Sequence, residues 1–162
     1  MKKNISILAI SLTLVFQFCA PAKLVFNYDH KCGATAAQGT KVIKVFTEVS
    51  KSQEAIDKSA MLAVHAVLFK GIVCTDGTSQ STSKMSKFNY EDKKEWFDNF
   101  FKSGKFKDFV ANTSSVINSE DRLKLPSGKV KVGVSVQVSY ESLKKYMVSQ
   151  SMADDMNKAM GW

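Results

Sequence analysis

Few residues in this 162-residue chain have the type and spacing that catalysis needs. His30 lies two residues before Cys32, and a histidine base beside a cysteine could activate a nucleophile. His65 lies in an apolar, alanine-rich stretch with no Ser, Cys or acid beside it. That setting favours a packed histidine over a general base, because a base must lie within reach of the group that it deprotonates.

The carboxylates are not arranged as a catalytic pair. Glu91 with Glu95, and Asp154 with Asp155, fall where surface charges of helices are expected. Glycine-rich phosphate loops, zinc-ligand spacings and the G-x-S-x-G motif do not occur in the sequence. The sequence therefore predicts no catalytic residue, no metal site and no cofactor.

The amino terminus has the three parts of a secretory signal peptide. Met1–Asn4 is basic, Ile5–Phe18 is mostly apolar, and Ala20-Pro21-Ala22 offers an A-x-A cleavage site. We expect a signal peptide over 1–22 and a single mature domain over 23–162. The expected compartment is the periplasm or the cell envelope.

Two other fates of the amino terminus stay open. A retained anchor is disfavoured because the apolar run is shorter than the roughly 20 residues that span a bilayer, and Gln17 interrupts it. A lipoprotein anchored through Cys19 is disfavoured because Gln17 and Phe18, not small residues, precede that cysteine. The mature chain is thus predicted to carry no transmembrane segment.

Cleavage of the predicted signal peptide would remove Cys19 and leave two cysteines in the exported chain. Cys32 and Cys74 form an even pair, which favours a disulfide in an oxidising compartment. Such a bond would stabilise the fold by roughly 3–4 kcal/mol in the chain-entropy account. Two free buried thiols are the alternative, and a metal site is disfavoured because the two histidines are not at ligand spacing.

The basic charge is carried almost wholly by lysine. The predicted mature chain, which lacks Lys2 and Lys3, has 21 basic and 15 acidic residues and therefore a net charge of +6. Only one of the basic residues, Arg122, is an arginine. Specific recognition of phosphate or bases favours the guanidinium fork. Spread lysines therefore indicate solvated faces, no nucleic-acid partner and at most a weak attraction to anionic surfaces.

The element that organises the predicted fold is a strand of alternating valines, Val130 to Val138. Side chains alternate between the faces of a strand, so this one has an apolar and a polar face. Thr40 to Val49 predicts a second strand of the same kind. The helix Ser52–Lys70, opened by a Ser50–Gln53 capping box and ended by Gly71, is the expected cover of the apolar face.

An aromatic helix is predicted from Tyr90 to Ser103. Its rings fit a core, but so many large apolar groups favour leaving some exposed to a protein partner. The candidate partner-binding residues are Trp96, Phe97, Phe100 and Phe101. A further helix is expected from Tyr140 to Gln150.

The partner of the valine strand is predicted from Val116 to Leu125, joined by the turn Pro126–Gly128. Two rules conflict at this turn. A type I turn with a glycine bulge places Leu125 opposite Lys129, whereas an even-numbered loop places Leu123 on the apolar face. We favour the register that buries both leucines.

The remaining segments carry weaker signals. Lys23–Tyr28 could be a short strand or an ordered tail, and 30–40 is interpreted as a linker. Thr75–Lys87 has the composition of an exposed loop, which could be functional or a tolerated insertion. A last short helix beginning between Ser151 and Asp154 would carry Met152, Met156 and Met160.

Several runs resemble an uncharacterised family of small secreted envelope proteins of Bacteroides-like bacteria. They are Ala63–Gly71, Trp96–Phe101 with Gly104–Phe106, and Lys129–Val134. The chain is also similar to the helix-on-sheet domain of small envelope lipoproteins and of flagellar assembly protein T. The resemblance implies an α+β two-layer sandwich, with a mostly antiparallel sheet of three to four strands and helices on one face. It supplies no catalytic residue.

Three classes of function follow. The first is a non-enzymatic envelope protein that docks on other envelope proteins, through the aromatic helix or an uncovered sheet edge. The second is a small envelope hydrolase with its site in the Thr75–Lys87 loop and near His30. The third is an electrostatic binder of anionic envelope polymers, whose binding would weaken with salt.

Overall fold

The structure is a computed structural model that describes residues 23–33, 37–74 and 81–154. This part of the chain contains five strands and three α-helices. The strands are β1 Asp29–Cys32, β2 Lys41–Val49, β3 Val110–Thr113, β4 Arg122–Lys124 and β5 Val130–Val138. The α-helices are α1 Ser52–Phe69, α2 Lys94–Lys102 and α3 Tyr140–Ser149, and the 3-10 helices are Glu91–Lys93, Lys105–Phe109 and Ser119–Asp121. The order of the strands and α-helices along the chain is β1-β2-α1-α2-β3-β4-β5-α3.

The strands form one antiparallel sheet in the order β1-β2-β5-β3. β4 also pairs with β5, because β3 pairs with the Val136–Val138 end of that strand and β4 with its Val130–Val132 end. The predicted α+β fold with helices on a sheet is confirmed. The described sheet has five strands, one more than the upper end of the prediction.

The valine strand is the centre of the core, as its alternation predicts. All five valines of β5 are buried, and they face the inward side chains Ile43, Val45, Thr47 and Val49 of β2. α1 packs across both strands, and Leu62, Val64, Val67 and Leu68 are buried there. The predicted cover of the apolar face is therefore confirmed.

Gly71 ends α1 at the residue that the sequence predicts, and the reason is geometric. Its φ is +74°, and a Cβ at this position would lie 2.6 Å from the carbonyl oxygen of Thr82. The chain returns here, where Ile72 pairs with Thr82. Met85 and Ser86 then donate backbone hydrogen bonds to Val67 and Leu68 and are buried. The prediction that Thr75–Lys87 is an exposed loop is therefore wrong at Met85 and Ser86, whereas Ser81, Ser83, Lys84 and Lys87 are exposed.

The beginning of α1 differs from the prediction. The N-cap is Lys51, in an extended conformation, and it makes no side-chain capping hydrogen bond. Lys51 instead receives a backbone hydrogen bond from Glu54 at 3.0 Å. The capping box predicted at Ser50–Gln53 is wrong, because the helix starts one residue later than that motif requires.

The register of the β4–β5 hairpin is also corrected. Leu125 accepts a hydrogen bond from Gly128 and donates one to Lys129, and the φ of Gly128 is +79°. This is the type I turn with a glycine bulge, so turn chemistry prevails over the hydrophobic pattern. Leu123 lies opposite Lys131 and is 60% exposed. Only three residues of the predicted Val116–Leu125 strand pair with β5.

The segment before β2 contains a strand that the sequence does not predict. β1 pairs with β2 from Asp29 to Cys32, and all but the first of its residues fall in the stretch 30–40 that is interpreted as a linker. The preceding residues 23–28 form no strand, but Tyr28 is buried and Leu24 and Phe26 pack against the core. An alternating inward set thus extends from Leu24 to Cys32.

Three predictions fall outside the described residues. They are the signal peptide over 1–22, the anchoring alternative at Cys19, and the last helix beyond Asp154 with Met156 and Met160. Among the residues that the structure does describe, no helix has the length and apolarity to cross a bilayer.

Candidate functional site

The face of the sheet opposite the helices is the broadest polar surface that the strands build. Register places its side chains in rows across the strands. Leu123, Lys131 and Glu48 form one row, Gly133, Phe46 and Asp29 the next, and Ser135, Lys44 and Lys31 the third. We call these residues, with Glu120 and Asp121 at the rim, the open face.

Phe46 is the one large aromatic side chain in these rows. Its ring lies against Gly133, since a Cβ there would fall 2.6 Å from the Phe46 Cε1 atom. Glycine is the only residue that leaves room for the ring to lie flat on the neighbouring strand. The Nζ of Lys31 lies 5.5 Å from the ring centroid, a cation–π contact. The result is a flat, half-buried aromatic surface in a polar setting.

Two ion pairs frame this ring. Lys44 donates to both carboxylate oxygens of Asp121, at 2.9 and 2.8 Å. Lys131 donates to Asp29 and holds the pKa of that carboxyl below its usual range. Because these lysines are paired with acids, the open face does not offer an unbalanced positive charge to a polyanion.

A shallow groove crosses the open face between the two ion pairs. It has a volume of about 290 Å³ and is lined by Asp29, Lys31, Phe46, Glu120, Asp121, Leu123 and Lys131. The exposed Leu123 and the ring of Phe46 supply its apolar part. Sequence analysis missed this pairing because the wrong hairpin register turned Leu123 to the core.

His65 lies on the other side of the sheet, in a cluster of aromatic rings. The Tyr28 hydroxyl is hydrogen-bonded to its Nδ1 at 2.7 Å, and the Phe26 ring stacks on the imidazole with centroids 3.9 Å apart. Phe69, Tyr90 and Phe101 complete the enclosure. Burial, helped by the charge of Lys70, lowers the pKa of His65 to about 4. His65 is a packed histidine, as its sequence setting predicts.

Tyr28 is held by the same cluster. Lys70 places its Nζ 3.8 Å from the centroid of the Tyr28 ring and donates to the Tyr28 carbonyl oxygen at 3.1 Å. Burial raises the pKa of the Tyr28 hydroxyl well above its usual range, so the hydroxyl that is hydrogen-bonded to His65 stays protonated. A neutral tyrosine and a neutral histidine in a closed site indicate packing rather than proton transfer.

The cysteines form the predicted disulfide. Cys32 at the end of β1 is bonded to Cys74, with the two Cα atoms 5.1 Å apart. The bond ties β1 to the chain that leaves α1. His30 donates from Nε2 to the carbonyl oxygen of Gly71 at 2.9 Å. A Cys32–His30 nucleophile pair is thereby excluded, since the sulfur is already bonded.

The predicted partner-binding aromatics lie mostly in the core. Phe97, Phe100 and Phe101 are between 0 and 3% exposed, and Trp96 is half-buried against Phe97 and Phe100. The three phenylalanines present almost no surface to a partner, so within this set the binding role stays a prediction for Trp96 alone. A chain of this length suggested that so many rings could not all be buried, but one small core accommodates them.

The described residues contain no group of three or more His, Cys, Asp or Glu side chains that could hold a metal ion. Comparison of the chain with protein-family models, with curated proteins and with solved structures found no match. The candidate site therefore rests on its own geometry, an aromatic ring and an exposed leucine between two ion pairs.

Proposed function

We propose that this protein is an exported, non-enzymatic envelope protein that docks on another protein through its open face. The observation that carries the proposal is the ring of Phe46 on Gly133, with the exposed Leu123 beside it in the groove. Central apolar anchors within a polar rim are the usual anatomy of a protein contact.

The compartment in this proposal rests on two features. The disulfide between Cys32 and Cys74 fits an oxidising compartment. The basic start, apolar run and A-x-A site of residues 1–22 fit a cleaved signal peptide. Periplasm or cell envelope is the location that both features favour.

A protein partner is favoured over a polymer by the charge pattern of the open face. Lys44 and Lys131 are each bound to a carboxylate, and Glu48 and Glu120 add negative charge. Paired charges around an apolar centre give specificity against another protein surface more than affinity for a polyanion.

The experiment is site-specific photocrosslinking in the native envelope. A photoreactive residue at Leu123 should give a defined adduct with one partner, whereas the same residue at Val116 should not. Val116 is the matched control because it is 70% exposed and lies outside the groove.

A second variant decides whether the adduct reports the open face. Phe46→Ala should abolish crosslinking from Leu123 while the purified protein keeps its folded circular dichroism spectrum. Recovery of uncrosslinked monomer alone from both positions would count against the proposal. Equal adducts from Leu123 and Val116 would also count against it, because the contact would then not depend on the groove.

A further inference from the structure

The segment before β1, residues 23–28, crosses the helix side of the core without forming a strand, and we call it the strap. Its inward side chains are Leu24, Phe26 and Tyr28. Within the described part of the chain, the strap makes no backbone–backbone hydrogen bond. Thr47 donates only a long bond of 3.4 Å from its hydroxyl to the Asn27 carbonyl oxygen. The strap is therefore held in place mainly by its side chains.

The strap closes one side of the aromatic cage around His65. The Phe26 ring stacks on the imidazole with centroids 3.9 Å apart, and the Tyr28 ring meets it edge-on at 5.7 Å. The Tyr28 hydroxyl makes the one hydrogen bond that the described residues give to the imidazole. With these rings in place, His65 is nearly sealed from solvent. Detachment of the strap would open the imidazole to water.

The other walls of the cage are built into the helices. Phe69 lies on α1 itself, and Phe101 lies on α2, where it is buried. Tyr90 precedes α2 and is tied to it, because its hydroxyl donates to Asp98 at 2.6 Å. Moving these walls would disrupt helices and core packing, whereas the strap can detach by breaking side-chain contacts alone. Elements with few backbone hydrogen bonds open first, so the strap is the weakest wall.

The charged groups around the cage do not favour a positive charge on His65. Lys70, at the end of α1, is the charge that acts on the imidazole, and it is also positive. Asp98, reached through Tyr90, is already paired with two lysines. On β1, the His30 ring lies 6.1 Å from the ring of the strap tyrosine and bonds to a backbone carbonyl oxygen. A proton on His65 is therefore not compensated by the described groups that face it.

Protonation of His65 and opening of the strap favour each other for this reason. Burial, helped by Lys70, holds the pKa of His65 at about 4 while the cage is closed. Water that reaches the ring would restore a pKa of about 6.5. Below that pH, the open form binds a proton that the closed form excludes, so acid shifts the population toward the open form.

We propose that the strap is a pH-gated cover, which opens locally in mild acid when His65 takes up a proton while the sheet and the helices stay folded. Opening uncovers the ring faces of Tyr90 and Phe101, against which Phe26 packs in the closed form. Return to neutral pH closes the strap again. This device lies on the helix side of the core and is independent of the proposed docking through the open face, so either one can fail without the other.

The test is proteolysis of the folded protein by a low concentration of proteinase K, because a protease cuts the strap only while it is detached. Cuts between Lys23 and Asp29 are followed by mass spectrometry. Their rate is divided, at each pH, by the rate for a free peptide of residues 23–29, which cancels the pH dependence of the protease. This ratio should rise about thirtyfold between pH 7.5 and pH 5, as the difference between the closed and open pKa values of His65 requires.

Three variants identify the group that carries the effect. His65→Gln removes the titrating group, so its ratio should change less than about threefold over the same range. Should His65→Gln not fold, His65→Phe makes the same comparison and keeps a ring in the cage. His30→Gln is the matched control and should keep the full rise, because it leaves His65 in place. Asp29 stays charged over this range, since its bond to Lys131 holds its pKa below the usual value.

Three results would overturn the proposal. A rise of less than about threefold in the wild-type protein would show that acid does not open the strap. An equal rise in the wild-type protein and in the His65 variant would assign the opening to another group. Cuts within β5 that appear as fast as cuts in the strap would show that acid unfolds the whole protein and not the strap alone.

Discussion

Protonation of His65 should make the fold sensitive to mild acid. The folded protein holds the pKa of His65 at about 4, whereas an unfolded chain restores it to about 6.5. Below pH 6.5 the unfolded state therefore binds more protons than the folded state, and stability falls as the pH is lowered. The contribution is fully present above pH 6.5 and is lost progressively down to pH 4.

The magnitude follows from the size of the shift. A pKa difference of about 2.5 between the folded and unfolded states contributes about 3 kcal/mol to the free energy of unfolding. About 2 kcal/mol of this contribution is lost by pH 5. His65 is only 8% exposed, so solvent screens this effect little. In a urea titration the midpoint should move down by about 1 M between pH 7.5 and pH 5.

Urea unfolding followed by tryptophan fluorescence measures this, with Trp96 packed against the core as a probe. His65→Gln should be less stable at pH 7.5 but should lose much less stability on acidification. His30→Gln is the control and should keep the full loss, because it leaves His65 in place. If His65→Gln and the wild-type protein lose the same stability between pH 7.5 and pH 5, His65 is not the source and the reasoning is refuted.

Other perturbations have equally definite outcomes. Reducing the disulfide, which closes a separation of 42 residues, should lower the free energy of unfolding by about 4 kcal/mol in the chain-entropy account; an unchanged urea midpoint in reductant would contradict this. Gly71→Ala should cost at least about 1 kcal/mol more than Gly128→Ala. Both glycines have positive φ, but only at Gly71 would an added Cβ lie within 3 Å of backbone atoms. Equal melting temperatures of the two alanine variants would contradict this prediction. Leu68→Ala should cost about 2–5 kcal/mol. The exposed Leu123→Ala should stay within about 0.5 kcal/mol; comparable losses would show that the register is wrong.

Periodicity explains why much of the fold could be predicted from the sequence. The alternating valines of Val130–Val138 and the apolar stripe of α1 are long patterns with one consistent interpretation. The stop at Gly71 follows a local rule that tertiary contacts do not override, and α3 starts at the predicted Tyr140 and ends at Ser149, one residue before the predicted end. The disulfide is predicted from the parity of the cysteines that would remain if the predicted signal peptide were removed.

The errors lie where two local signals conflict or where the signal is long-range. Leu123 is hydrophobic enough to suggest burial, but the Pro126–Gly128 turn fixes the register and turns it outward. β1 is only four residues long, and its pairing with β2 depends on contacts distant in sequence. The open face depends on the β4–β5 hairpin, so the candidate site could not be derived from the sequence alone.

The arrangement of β3 and β4 on β5 has a consequence for association between copies of the protein. A single long outer strand would leave a continuous row of unpaired backbone groups, which is a template for edge-to-edge aggregation. Here one border of the described sheet is divided between strands of four and three residues, and the other is the four-residue β1 with Asp29 and Lys31. Such short and charged borders limit the growth of the sheet into fibres, so a mutation that lengthened β4 toward Ser114 would raise the tendency to aggregate.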